Sequence, residues 1–395
     1  MRLLRDLTSV SIGAYSCLLK LFHMAGFVNF ALHIDQNVGI EIGEHHWRVN
    51  FIWWMLHCLY WVISCVMSRF DYNCLYNGLE VTDAMNNYFR YVIGMATAFA
   101  SLGDSCCSAG THRSIWKCYQ RLAVRTAAYV GLLDRDSEAA YMRRILKFFI
   151  VTLATCAVVQ YKAFYTLRPG TQWQCFWMYN IYPITMSYLR HMFHLLHIGL
   201  MTENVRQLRT KLNQLRQTVD EPSEVENITL NPRKHEETVL ATLERLEDCR
   251  SIYTELWLAN EGINELFGFS QAFNVACSFL QIAFDMYWMR AMWLSGEPNL
   301  DLQLFLFVPT PLILWFLMFT INDYHLAVES VKQSVLDMPC MHDERLMQLR
   351  GYFLGQLRRF RLRLTARNIF EFDKTLIPKL AFVVVTYLVI FIEIN

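Results

Sequence analysis

Thr386-Tyr387-Leu388-Val389-Ile390-Phe391-Ile392-Glu393-Ile394-Asn395 closes the chain as a nearly unbroken apolar run, with Thr-Tyr at its start and a carboxylate near its end. Extended back to residue 375, it reaches the ~20 residues a helix needs to cross hydrocarbon. The chain is therefore expected to stop inside or at the rim of a membrane. Composition agrees: 54% hydrophobic and 14% aromatic content over 395 residues exceeds that of an ordinary soluble domain. The apolar residues cluster in stretches separated by loops rich in Arg and Lys. A net charge of +1 averages those two environments and points to no nucleic-acid partner.

Residues 49–68, 266–284 and 302–322 cross without an interior Asp, Glu, Lys or Arg. Four further segments, 80–103, 144–167, 173–202 and 375–395, reach the length by accepting Arg90, Lys147 and Lys162, Arg190, and Lys379 respectively. These four should face protein or water rather than lipid. Residues 9–34 carry Lys20 at their centre and read as an amphipathic helix at the cytosolic interface. No signal peptide precedes them. With the N-terminus inside, the cytosolic segments hold 30 Lys and Arg against four in the outer loops, Arg69, Lys162, Arg168 and Arg290. The predicted fold is all-α and polytopic, with seven transmembrane helices, an intracellular N-terminus and an extracellular C-terminus. A G-protein-coupled receptor has the opposite orientation. The sequon Asn227-Ile228-Thr229 then lies in the cytosol, and a glycan there would overturn the topology.

The cytosolic loops are predicted to be long helical extensions. Val205, Leu208, Leu212, Leu215 and Val219 alternate spacings of three and four. A break at 221–235 contains Pro222 and Pro232, and Leu243, Leu246, Tyr253 and Leu256 follow on one side of a second helix. The loop 203–265 reads as a helical hairpin. Leu346, Leu349, Phe353, Leu357, Phe360 and Leu364 repeat the stripe among six arginines. This third helix joins a bundle or subunit interface, or else lies on anionic lipid. The division expected is 1–330, holding six spans and the hairpin, and 331–395, holding the cytosolic helix and the last span.

Twelve cysteines show no CxxC pair and no zinc spacing. Cys74 and Cys175 are the two assigned outside, where a disulfide is open to them. His191, His194 and His197 lie three apart without a carboxylate at ligand spacing, which favours packing over a metal or pH site. No metal or cofactor is expected. No HExxH, Gly-x-Ser-x-Gly or paired intramembrane carboxylate suggests an enzyme, and no repeated halves suggest a transporter.

Asn368-Ile369-Phe370-Glu371-Phe372-Asp373 leads through Leu376, Leu380 and Ala381 to Thr386-Tyr387. With length, topology and position at the terminus, this motif resembles the insect gustatory receptor family, within the wider insect chemoreceptor superfamily that also holds odorant receptors. The resemblance implies a tetrameric, ligand-gated, nonselective cation channel in the plasma membrane of a sensory-neuron dendrite. The last span of each subunit would surround the pore, and the cytosolic helices would form its anchor. Partners implied are a small-molecule tastant, guessed bitter or otherwise non-sugar, together with cations, membrane lipids and related subunits in a homo- or hetero-tetramer. The alternative is an odorant receptor subunit working with a coreceptor. Glu393-Ile394 stands where the family carries Gln-Phe, so these two inherit the gate role by position.

Thr386 and Glu393 lie about 10 Å apart on one helix face with Val389 and Ile390 between them. Repeated fourfold, that face and the adjoining Tyr387 make a constriction that dewets when shut, capped by an acidic ring that favours cations. Four like charges repel, so the ring takes up protons as pH falls and conductance becomes pH-sensitive. The bland alternative has Val389 and Ile390 packed against neighbouring spans. Ligand contacts are expected in the outer half, from Asn86, Asn87, Gln160, Tyr161, Tyr179, Tyr182, Tyr188 and Asp285.

Overall fold

The computed structural model describes residues 9–70, 81–127, 147–162, 182–220, 232–296, 304–339 and 343–394, apart from single positions and short stretches within those ranges. The described chain is helical except for one hairpin of two four-residue strands and short non-helical connections, the longest at 360–375. Helix α1 (Ser9–Met24) leads into β1 (Leu32–Asp35) and β2 (Gly39–Ile42), an antiparallel pair in register Leu32↔Ile42. Then follow α2 (Trp47–Phe70), α3 (Val81–Cys107), α4 (Ala109–Ala127), helical residues within 147–162, α5 (Tyr182–Asp220) and α6 (Pro232–Ser295). Helices α7 (Pro309–Leu336), α8 (Glu344–Arg359) and α9 (Leu376–Ile394) complete the chain.

Two of these, the stretch Glu236–Leu294 of α6 and α7, are long and apolar enough to cross a membrane. The count is three if α3 and α4, bent by 67° at Ser108, form one broken span. Of the other predicted spans, 49–68 falls on α2 with no interior charge, while 80–103 and 375–395 fall largely on α3 and α9, which carry Arg90 and Lys379. α2 exposes Phe51, Ile52, Met55, Leu56, Leu59, Val62 and Val66, each near half its area. A belt of that size is costly in water and free of cost in hydrocarbon.

The centre of the bundle is α5. From Met186 to Gly199 its side chains are buried on every side, enclosed by α3, α6 and α7. A helix buried all round can carry polar groups only if each finds a partner, and α5 carries several. Lys20 of α1 is exposed, while Leu18, Leu19 and Phe22 are buried. The Phe22 ring lies 4.8 Å from that of Phe193 on α5, so the apolar side of α1 packs on protein instead of on lipid.

The 39 residues of α5 and the 64 of α6 run well past a 30 Å hydrocarbon layer, about 58 and 96 Å at 1.5 Å per residue. Their projecting ends form the expected hairpin. Val205, Leu208, Leu212 and Leu215 are buried against Leu246, Tyr253 and Leu256, and Lys211 pairs with Asp248. The second helix starts at Pro232, inside the break expected over 221–235. Proline at a first turn loses no hydrogen bond, because that N–H has no helical acceptor.

The helix expected over the 346–364 stripe is shorter than that stripe implies. Asp343 accepts from the backbone N–H groups of Arg345 and Leu346, capping α8, and the helix ends at Arg359. Leu362 and Leu364 stay buried but on extended backbone. The chain then doubles back, with Thr365 bridged to Glu371 and Arg367 at φ +48°. This turn sits directly on α6: a Cβ on Gly268 would fall 2.7 Å from Arg367 Cβ and 2.9 Å from its backbone nitrogen. Only glycine fits there.

Candidate pore helix and buried polar column

Helix α9 packs chiefly against α6. Val384 is buried, and the Tyr387 ring meets Phe284 of α6 at 5.5 Å, edge to face. Phe382, Val385, Val389 and Ile390 are exposed at 73%, 57%, 47% and 49%, and Thr386 and Glu393 are exposed beside them. Positions 382, 385, 386, 389, 390 and 393 follow steps of three and four, so they form one continuous helix face. That face is apolar from Phe382 to Ile390 and ends in a carboxylate. Tyr387 stands apart from it, turned inward to α6. The Ile394 side chain lies outside the described residues.

Behind α9, the face of α6 toward α5 is polar. Gln271, Asn274, Ser278, Gln281 and Asp285 are all buried at steps of three and four. Asn274 accepts from the Ser187 hydroxyl and donates to the Ser187 carbonyl at 3.0 Å. His191 is held between Ser278 (2.9 Å) and Gln271 (2.8 Å). Gln281 donates to both oxygens of Asp285 at 2.9 Å, and Tyr188 shares a 2.7 Å hydrogen bond with Thr310 of α7.

One turn deeper sits Arg190, fully buried. Its guanidinium donates to Ser270 (2.7 and 3.0 Å), Ser105 (2.9 Å) and the Leu266 carbonyl (2.7 Å), and lies over the Phe267 ring at 4.5 Å. Asp104 accepts the Ser270 backbone N–H at 2.6 Å and supplies the countercharge. The expectation that Arg190 faces protein is met by four hydrogen bonds to residues of α3 and α6. His194 and His197 continue the column as packed rings: His194 stacks on Phe267 at 4.6 Å, and His197 meets His112 at 5.4 Å. His112 accepts the Trp116 indole N–H at 2.8 Å.

At the far end of the column from Asp285, Asn260 accepts from Tyr324 and donates to the Arg363 carbonyl, both at 2.7 Å. From Asp285 to Asn260 the column covers about 37 Å of α6 at 1.5 Å per residue. Asn260→Ala strands the buried Tyr324 hydroxyl and leaves the Arg363 carbonyl with Asn264 alone as its side-chain donor. A loss of about 1–3 kcal/mol is expected, read as a lower melting temperature of the detergent-solubilised protein.

The outer-half candidates fall into three groups. Tyr188 and Asp285 are buried in the column. Tyr182 is half-buried, its hydroxyl 2.6 Å from His57 Nδ1 and its ring 4.2 Å from that of Tyr60. Tyr161 is 69% exposed and turned away from the column. Asn86 and Asn87 lie on α3, but their side chains, with Gln160, Tyr179, Cys74, Cys175 and Asn227, fall outside the described residues. Sequence reading missed Gln271, Asn274, Ser278 and Gln281, although their helical spacing inside an apolar run was there to be read.

The family model for the 7tm chemosensory receptor matches residues 15–394. Two solved structures share the fold. The insect olfactory receptor OR5 from Machilis hrabei in complex with eugenol is similar with a TM-score of 0.61 and 9% identity, over 98% of this chain and 100% of that one. A second structure of OR5 from the same organism gives 0.59 and 10%, over 96% and 98%. No curated protein matches the sequence. A family match over nearly the whole length, on a helical membrane fold with a buried polar interior, has one reading: the chain belongs to the 7tm chemosensory receptor family.

Proposed function

We propose that this receptor is a ligand-gated, nonselective cation channel of the gustatory branch, opened by a small organic molecule and built from four subunits around their α9 helices. The observation that carries the reading is the uncovered face of α9. A single subunit leaves Phe382, Val385, Val389 and Ile390 bare at the end of the chain, while Val384 and Tyr387 hold the helix to α6. Fourfold repetition around an axis beside that face gives an apolar constriction with Glu393 at its outer mouth. The seven-span topology places the N-terminus inside and the C-terminus outside, and residues 331–395 act as the anchor helix plus the pore helix.

Ligand entry in the outer half is supported by Tyr182, Tyr188 and Asp285, which sit on the same two helices as the polar column. OR5 was solved with eugenol, and a small organic ligand of comparable kind suits aromatic walls with a few hydrogen-bonding groups. Column and pore meet on α6, since Phe284, which touches Tyr387, is adjacent to Asp285. The gustatory assignment rests on Thr386-Tyr387 and the motif preceding it.

An epitope tag at the C-terminus, stained on unpermeabilised cells, tests the topology. Surface staining is expected. A tag reached only after permeabilisation overturns the reading. Calcium imaging of cells expressing the chain alone, then with an odorant coreceptor, separates the branches. Responses to non-volatile tastants without the coreceptor are expected, and responses confined to co-expression would assign the odorant branch.

A further inference from the structure

A cavity of ≈ 520 Å³ lies between α4, α6 and the turn at 365–367, apart from both the polar column and α9. Pockets for small ligands span roughly 300–1,000 Å³, so its size suits a headgroup-sized molecule. Its floor is where α4 and α6 approach most closely: a Cβ on Gly262 would come within 2.9 Å of Ile115 Cγ1. Its walls carry two guanidinium groups, Arg121 and Arg367, and two carboxylates, Glu261 and Glu265. Arg121 reaches Glu255 at 3.5 Å and keeps 56% of its side chain exposed. Arg367, Glu261 and Glu265 form no ion pair among the described residues.

Above this groove the exposed stripe of α6 changes character abruptly. Leu258, Glu261 and Glu265 are followed one turn later by Phe269 and then Phe273, both 43% exposed, with ring centroids 4.8 Å apart. The apolar span begins at residue 266, so charge gives way to apolar surface at the depth where lipid headgroups meet acyl chains. Two guanidinium groups match a phosphate, and two carboxylates match an ammonium. A soluble ion would use the groove but not the phenylalanines.

We infer that the groove binds one aminophospholipid of the phosphatidylethanolamine class from the cytosolic leaflet: its phosphate on Arg121 and Arg367, its ammonium on Glu261 and Glu265, and an acyl chain along Phe269 and Phe273. The inference rests on the membrane placement proposed above, but its test does not require channel activity.

The full-length receptor is reconstituted into bilayers containing phosphatidylethanolamine, phosphatidylglycerol and phosphatidylcholine in equal parts, re-extracted in mild detergent, and its retained lipid identified by native mass spectrometry. One phosphatidylethanolamine per chain is expected. Arg367→Ala and Glu265→Gln, both on exposed side chains, should each lower retention about tenfold while the protein stays monodisperse. Equal retention in these variants overturns the site. Phosphatidylglycerol held as tightly as phosphatidylethanolamine overturns the amine half, and displacement by free phosphoethanolamine makes the source soluble and overturns the lipid. Protection of the groove from thiol-directed crosslinking only in oligomers, with no lipid retained, shows that a second copy covers it and overturns the proposal. Failure of the channel with lipid retained would count against the proposed function alone.

Discussion

Replacing Arg190 with leucine is expected to remove the receptor from the cell surface. The substitution leaves the Asp104 charge uncompensated and takes the Arg190 donors from the Ser270 hydroxyl and the Leu266 carbonyl, while Ser105 keeps its bond to the Ser101 carbonyl, all in the packed centre of the bundle. Removing one partner from a buried charged network costs about 3–5 kcal/mol, a large share of the stability of an ordinary domain. Leucine restores apolar volume but accepts and donates nothing. Arg190→Lys keeps the charge but cannot span Ser105, Ser270 and the Leu266 carbonyl together, so an intermediate yield is expected. Surface biotinylation and the melting temperature in detergent read both effects, and normal yield for the leucine variant would show that the column is dispensable.

The second large effect is expected at Glu393. In the proposed tetramer, four Glu393 carboxylates ring one mouth of the pore and concentrate cations there. Glu393→Gln should lower calcium permeability relative to chloride by roughly threefold to tenfold, more at low ionic strength than at high. Whole-cell recordings at two salt concentrations measure it. Unchanged selectivity would remove the ring from the mechanism.

Much of this was legible before any coordinates. The helices 49–68, 266–284, 302–322 and 375–395 announce themselves because apolar runs of membrane length admit few other structures. The hairpin of α5 and α6 was legible in the steps of Val205, Leu208, Leu212 and Leu215, since an apolar stripe on a long basic helix must find a partner. The polar face of α6 was obscured by its surroundings: Gln271, Asn274, Ser278, Gln281 and Asp285 are a minority in an apolar run, and hydropathy averages over the very spacing that puts them on one side. The end of α8 was misread for a related reason. Phe360 and Leu364 keep the apolar rhythm, yet Leu362 and Leu364 are buried from extended backbone, a geometry that the same residues satisfy equally well. Tyr387 adjoins the pore residues in sequence, but one step along a helix turns a side chain by about 100°, which carries it round to Phe284. The groove holding Arg121 and Arg367 joins residues far apart in the chain, and no local pattern could bring them together.

Cysteine scanning of α9 with a membrane-impermeant thiol reagent applied from outside tests the central claim most directly. At Thr386, Val389, Ile390 and Glu393, cysteine should bring ligand-dependent loss of current on treatment, while cysteine at Val384 should leave current unchanged. Loss of current at Val384 with protection at Val389 and Ile390 would contradict a pore walled by the uncovered face of the last helix.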